Sequence, residues 1–208
     1  MEPVSWPSLV PTAADAVRSG DTREGEDFAG ADFSGIELDF SSFVSCSFDR
    51  SRFEETTLRG VHFSECRLAH LDTPILSAPR SSWRAVELSA SRLGSAELYE
   101  SSWRCVTVED AKISFLNARS ARWQDVVFRN CLIDELDLGH ASLNRVAFPG
   151  CQIRTVELNH ARLLDVDLRQ TELSVINGLS GLAGAWITAD QLALLAPLLA
   201  AHLKIQVD

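Results

Sequence analysis

Large apolar residues recur at every fifth position from Phe28 to Leu173, and the phase never slips. The series opens Phe28, Phe33, Leu38, Phe43, Phe48, Phe53 and closes Leu158, Leu163, Leu168, Leu173. Of its 30 positions, 27 hold a large apolar side chain, and the exceptions are Thr73, Ala78 and Ala118. A second column lies two residues before each centre. It is apolar or small: Ile36, Val61, Ala96 and Val126, four cysteines, and Ser41, Ser51, Ser81, Ser91 and Ser101. The remaining three positions of each five are mostly polar. A helix repeats every 3.6 residues and a strand every 2, so neither explains this pattern. A period of five predicts a chain that turns a corner every five residues, with two side chains of each five facing inward.

Four such sides make one coil of 20 residues, so residues 20 apart should stack. Trp83, Trp103 and Trp123 have that spacing, as do Cys46 and Cys66, Cys131 and Cys151, and His140 and His160. The expected architecture is an all-β quadrilateral β-helix of about 7.5 coils at strand spacing, with the tryptophans as a structural stack.

The chain divides into an N-terminal cap segment (1–25), the repeat region (26–175), and a C-terminal segment (176–208). Solenoid ends need caps, because the last coil exposes backbone and core. Pro11–Ser19 could form a short capping helix with Thr12 as N-cap. Thr188 and Gln191 read as a capping box with Asp190 in the first turn. Leu192, Leu195, Leu199 and Leu203 form a helical stripe, widened by Leu194, Leu198 and Ile205. Pro197 should kink or split that helix. The prolines of DTPILSAPR (72–80) should cost a ladder hydrogen bond and distort the coil locally.

The 208 residues carry 29 acidic and 19 basic side chains, a net charge of −10. That charge argues against direct binding of nucleic acid and permits binding to a basic partner. Wound on the 20-residue coil, the side centred on Phe43, Phe63, Trp83, Trp103, Trp123, Leu143 and Leu163 has three acids and five bases. The other sides have seven acids to four bases, seven to four, and six to three. The carboxylates available to a partner are Glu54, Glu55, Glu97, Glu100, Glu109, Asp110, Asp134, Glu135, Asp137 and Glu157. No P-loop, HExxH, CxxC, GxGxxG or GxSxG motif is present, so the expectation is no enzyme, no cofactor and no metal. Stacked His140 and His160, with Glu100 in the same column, are too few for structural zinc. Four cysteines fall in the small inward column and Cys105 at an outward corner. With no secretory leader or apolar span, a cytoplasmic protein with reduced thiols is expected.

Runs such as AGADFSG (29–35), SCSFDRSRFEE (45–55), HASLNR (140–145) and HARLLDVDL (160–168) resemble pentapeptide repeats of the A(D/N)LXX type. The resemblance implies a right-handed coil. For relatives of the fluoroquinolone-resistance type it implies a DNA mimic that binds DNA gyrase or another type II topoisomerase, and a homodimer through the C-terminal helix, here Leu192, Leu195, Leu198, Leu199 and Leu203. A general protein-interaction scaffold is the other reading that the residues leave open. The projecting loops of some relatives are not expected here, because the phase is unbroken.

Overall fold

The computed structural model describes residues 9–206. It is a parallel β-solenoid of about nine turns with one C-terminal helix. Pairing is in the 20-residue register: Phe43 with Phe63, Trp83 with Trp103, Trp103 with Trp123, Leu93 with Ile113. The four sides are numbered from the pentads centred on residues 43, 48, 53 and 58. One sheet of 14 strands covers the first and second sides, and a sheet of six strands runs from the third side onto the fourth. Strands beyond the repeat extend the stack. Val10 pairs with Glu26, Thr22 with Ser42, and Val166 with Ala185. The stack is therefore longer than the 7.5 coils counted from the repeat alone.

The pentad has a backbone logic that the sequence shows only indirectly. With the apolar centre as position three, the N–H of position two donates to position one of the preceding coil (Ser42 to Asp21, 2.8 Å). Position three donates to position two of the next coil (Phe28 to Ser47, 2.8 Å), and position five to position four (Ser45 to Ser64, 2.9 Å). Position one closes the corner on the centre before it (Ala31 to Phe28, 2.9 Å). Position four differs between corners. Where the strand runs on, it is paired in the ladder, as Val44 with Ser64 and Ser89 with Glu109. Where the corner is a tight turn, its N–H is taken by the side chain at position two of the same pentad: Ser34 by Asp32 (3.0 Å), Gly139 by Asp137 (2.9 Å), Arg169 by Asp167 (3.0 Å). This is an Asx-type bond, and it explains why Asp or Asn is favoured at position two.

Pro74, Pro79 and Pro149 all stand at position four. The expected distortion over 72–80 is absent, because Pro74 and Pro79 lie one coil after turn residues Glu54 and Arg59, where there is no strand pairing to lose. Thr73 pairs with Leu93 and Leu76 with Ala96 in unbroken register. What changes at this coil is the corner. Gly35 and Glu55 turn it with φ of 71° and 55°, whereas Ile75 and its successors lie inside continuous strands. A β-branched residue such as Ile75, Thr155 or Val175 would be strained in the left-handed region.

Inward packing also exchanges size between columns. Each small centre is preceded, two residues earlier, by a buried leucine: Leu71 with Thr73, Leu76 with Ala78, Leu116 with Ala118. Local volume is conserved, which is the condition for a close-packed core. The small polar side chains at position one have a hydrogen-bonding role as well. Ser51 donates to the Phe28 carbonyl (2.8 Å), Thr56 to Phe33 (2.8 Å), Thr171 to Phe148 (3.0 Å) and the Cys66 thiol to Phe43 (3.3 Å).

The ends are closed differently. At the N-terminus a single 3-10 turn, Ala14–Ala16, buries Ala14 and Val17 over the first coil. Its N-cap is Ala13 and not Thr12, whose hydroxyl is committed to the Val10 carbonyl. The first eight residues of the 1–25 segment lie outside the described residues. At the C-terminus helix α1, Ala189–His202, follows the Thr188 capping box. Gln191 also donates to the Leu168 and Thr171 carbonyls at 2.7 and 3.0 Å, sealing acceptors that another coil would have used. Pro197 does not split α1, which runs unbroken through it.

Candidate interaction surface

Every outward position is fixed by the register, so the surface is a set of columns running along the rod. Glu97, Asn117, Asp137, Glu157 and Asn177 form one such column on the fourth side. Glu55 and Glu135 lie on the corner between the third and fourth sides, Glu54 and Asp134 just before it, and Glu109 and Asp110 at the end of the second side. The ten carboxylates picked out from the sequence are thus brought together in part. Glu97, Asp137 and Glu157 share a column, while the set as a whole wraps around the rod.

Ion pairing divides them further. Glu100 is held by Arg80 at 2.7 Å, Asp137 by Arg119 at 3.1 Å, Asp134 by Arg154 at 3.6 Å and Glu54 by Arg52 at 3.8 Å. Among the described residues, Glu55, Glu97, Glu109, Asp110, Glu135 and Glu157 have no cation within ion-pair distance. These six are among the carboxylates that leave the surface unneutralised. Exposed pairs are worth about 0–1 kcal/mol, so the paired carboxylates can exchange partners.

The first side is different in kind. Arg145 there binds Asp125 through two bonds of 2.6 and 2.8 Å. The guanidinium holds the Asp125 carboxyl below the usual carboxylate range. Among the described residues, Arg84, Arg104, Arg122 and Arg162 on the same side have no carboxylate within ion-pair distance. The sign of this side can be counted along the chain, but which of its arginines are left without a partner cannot, since pairing depends on the neighbouring coil.

The tryptophan column forms as expected. Trp83 and Trp103 have ring centroids 5.5 Å apart, Trp103 and Trp123 5.0 Å, and Phe63 continues the column at 4.8 Å from Trp83. His140 and His160 stack at 4.7 Å. Glu100, in the same column, is committed to Arg80. Among the described residues no group of three His, Cys, Asp or Glu side chains could hold a metal ion. All five cysteines are free thiols; four are buried and Cys105 is exposed.

Helix α1 leaves an apolar surface at the rod's end. Leu192, Leu194, Leu198, Leu203 and Ile205 are exposed, with Trp186 beside them. Leu195 and Leu199 are half-buried. Between the helix and the last coil is an apolar groove lined by Leu173, Ile176, Leu182, Ile187, Leu194 and Leu195. Leu192, Leu194, Leu198 and Leu203 therefore do not cover the core.

Residues 27–65 match the family model for pentapeptide repeats, with eight copies. No curated protein matches the chain. Among solved structures it is similar to full-length QnrB1, a plasmid-mediated fluoroquinolone resistance protein, at 20% identity over 91% of this chain and 94% of that one, with a TM-score of 0.39. It is also similar to HetL, a pentapeptide repeat protein involved in heterocyst differentiation regulation from the cyanobacterium Nostoc sp., at 15% identity over 83% and 93%, with a TM-score of 0.38. Eight pentapeptide repeats are thus matched over residues 27–65, and the same five-residue geometry continues to residue 177.

Proposed function

We propose that the protein is a non-enzymatic interaction solenoid that presents its acidic sides to a basic, DNA-binding surface, that of DNA gyrase or a related type II topoisomerase. The observation that carries this reading is the unneutralised acidic surface wrapped over three sides of a straight rod. The repeat region holds 23 acids and 16 bases. A duplex carries one charge per about 1.7 Å, so the repeat region, about 7.5 coils and about 36 Å long, would need about 21 to match it. The mimic is thus partial, and the basic first side would face away from the partner. Supercoiling by purified gyrase is the test. Inhibition, or rescue from a quinolone, that fades with rising salt supports the reading. Unchanged supercoiling at large excess of protein overturns it in favour of a scaffold for another protein.

The exposed leucines of α1 favour a second copy of the chain as their cover, which would make the rod a homodimer joined at its C-terminal ends. Leu192, Leu195, Leu198, Leu199 and Leu203 would form that contact. Light scattering on the protein and on Leu198→Glu tests it: a dimer converted to a monomer supports the arrangement, and a monomeric parent overturns it.

A further inference from the structure

At the corner between the fourth and first sides, Ser120, Arg122, His140, Ser142, His160 and Arg162 line one groove. Its geometry follows from the coil. Ser120, His140 and His160 occupy one corner column, all with left-handed backbone (φ 57°, 59° and 60°). Arg122, Ser142 and Arg162 occupy the adjacent column in direct register. The two guanidiniums start two coils apart, about 10 Å at strand spacing, and their long side chains can close on a point between them. The imidazoles stack face to face at 4.7 Å and 24°, which leaves their ring nitrogens at the edges of the stack.

Three observations give the groove its sign. No carboxylate lines it. Among the described residues neither Arg122 nor Arg162 has a carboxylate within ion-pair distance, whereas Arg80, farther along the same corner column, is neutralised by Glu100 at 2.7 Å. And this concentration of unpaired cation, hydroxyl and imidazole occurs in a chain of net charge −10. Two imidazoles without a third ligand, flanked by two guanidiniums, are a poor site for a metal cation.

We propose that this groove is an oxyanion site that takes a phosphate dianion, either inorganic phosphate or a phosphomonoester. Guanidinium forks match phosphate oxygens with charge-assisted bonds. The Ser120 and Ser142 hydroxyls and the imidazole N–H groups supply further donors. The site is independent of the topoisomerase reading, because it lies on the basic side and needs no partner protein.

The test is titration of the native protein at constant ionic strength, following the histidine ring resonances, with inorganic phosphate in one arm and O-phosphoserine in the other. Saturable movement of His140 and His160, with His62, His70 and His202 unmoved, is expected in at least one arm, and the arm that saturates identifies the source. Arg122→Gln with Arg162→Gln should weaken binding about tenfold or more, while Arg84→Gln on the same side leaves it within about twofold. Non-saturating shifts in both arms, equal movement of all histidines, or equal weakening by Arg84→Gln would each overturn the proposal. All three arginines are exposed, so the variants should fold, and an unchanged far-UV spectrum checks that they do.

Discussion

Trp103 and Trp123 stack in the core with ring centroids 5.0 Å apart and planes inclined by 22°, and neither indole N–H has a hydrogen-bond partner. Trp83, one coil earlier, does have one, donating to the Ser81 hydroxyl at 2.7 Å. The column is held by packing rather than by its polar edges. Truncating Trp123 to Ala should cost about 3–5 kcal/mol through the cavity it leaves. Trp123→Phe should cost only about 1 kcal/mol, since lost area is partly offset by removing an unsatisfied donor. Denaturant unfolding measures both, and near-UV circular dichroism should lose the stacked-indole signal in each.

The exchange of size between Leu116 and Ala118 predicts a rescue. Leu116→Ala alone should destabilise by about 2–5 kcal/mol. Adding Ala118→Leu should restore a good part of that, because the volume returns to the same interior layer. A double-mutant cycle that shows simple additivity would contradict the packing described above.

Thiol chemistry should separate one cysteine from four. Cys105 is exposed at a corner, whereas Cys46, Cys66, Cys131 and Cys151 are buried. The neighbouring Cys46 thiol, and then burial, push the Cys66 thiol up, away from the reactive thiolate. Timed labelling of the native protein should give one fast equivalent, abolished by Cys105→Ser, and four released only on unfolding. Cys66→Ser should be tolerated better than Cys66→Val, because the hydroxyl can keep the bond to the Phe43 carbonyl.

Gln191 serves the helix and the solenoid together. Its carbonyl accepts from the Thr188 N–H at 2.8 Å while its amide nitrogen donates to Leu168 and Thr171. Gln191→Ala should cost about 1–3 kcal/mol, more than an ordinary capping residue. Hydrogen exchange should report the loss first in residues 166–187.

Acid should act on Asp125 before it acts on the core. With the Arg145 guanidinium holding its carboxyl low, the pair contributes stability above the unfolded carboxylate value near 3.9, and that contribution fades as pH falls through the folded value. In Arg145→Gln the Asp125 titration should rise toward about 3.9, as carboxyl resonances will show.

Much of the fold is legible in residues 28–173, because a period of five with no insertions admits few geometries. The stack of Trp83, Trp103 and Trp123 and the capping box at Thr188 follow from spacing alone. Three features do not. Pro74 and Pro79 look like breakers until the coil places each one turn of the solenoid after a tight corner and not after a strand. Pro197 looks like a helix stop until α1 is seen to carry it without a break. The groove around His140 and His160 is invisible because Arg122 and Arg162 matter through what they lack, a carboxylate on an adjoining coil. Interaction residues are the least legible. Most outward positions are not set by the interior period, so the period says little about what they bind.

The exemption of position four from the ladder at tight-turn corners has a consequence for how such rods diverge. Such a corner offers a site whose backbone N–H the neighbouring coils do not need. A lineage can harden the backbone there with proline or re-dress it with charge while the interior register stays as it is. Surface identity and scaffold integrity are thereby inherited separately, and one rod can acquire a new partner without refolding.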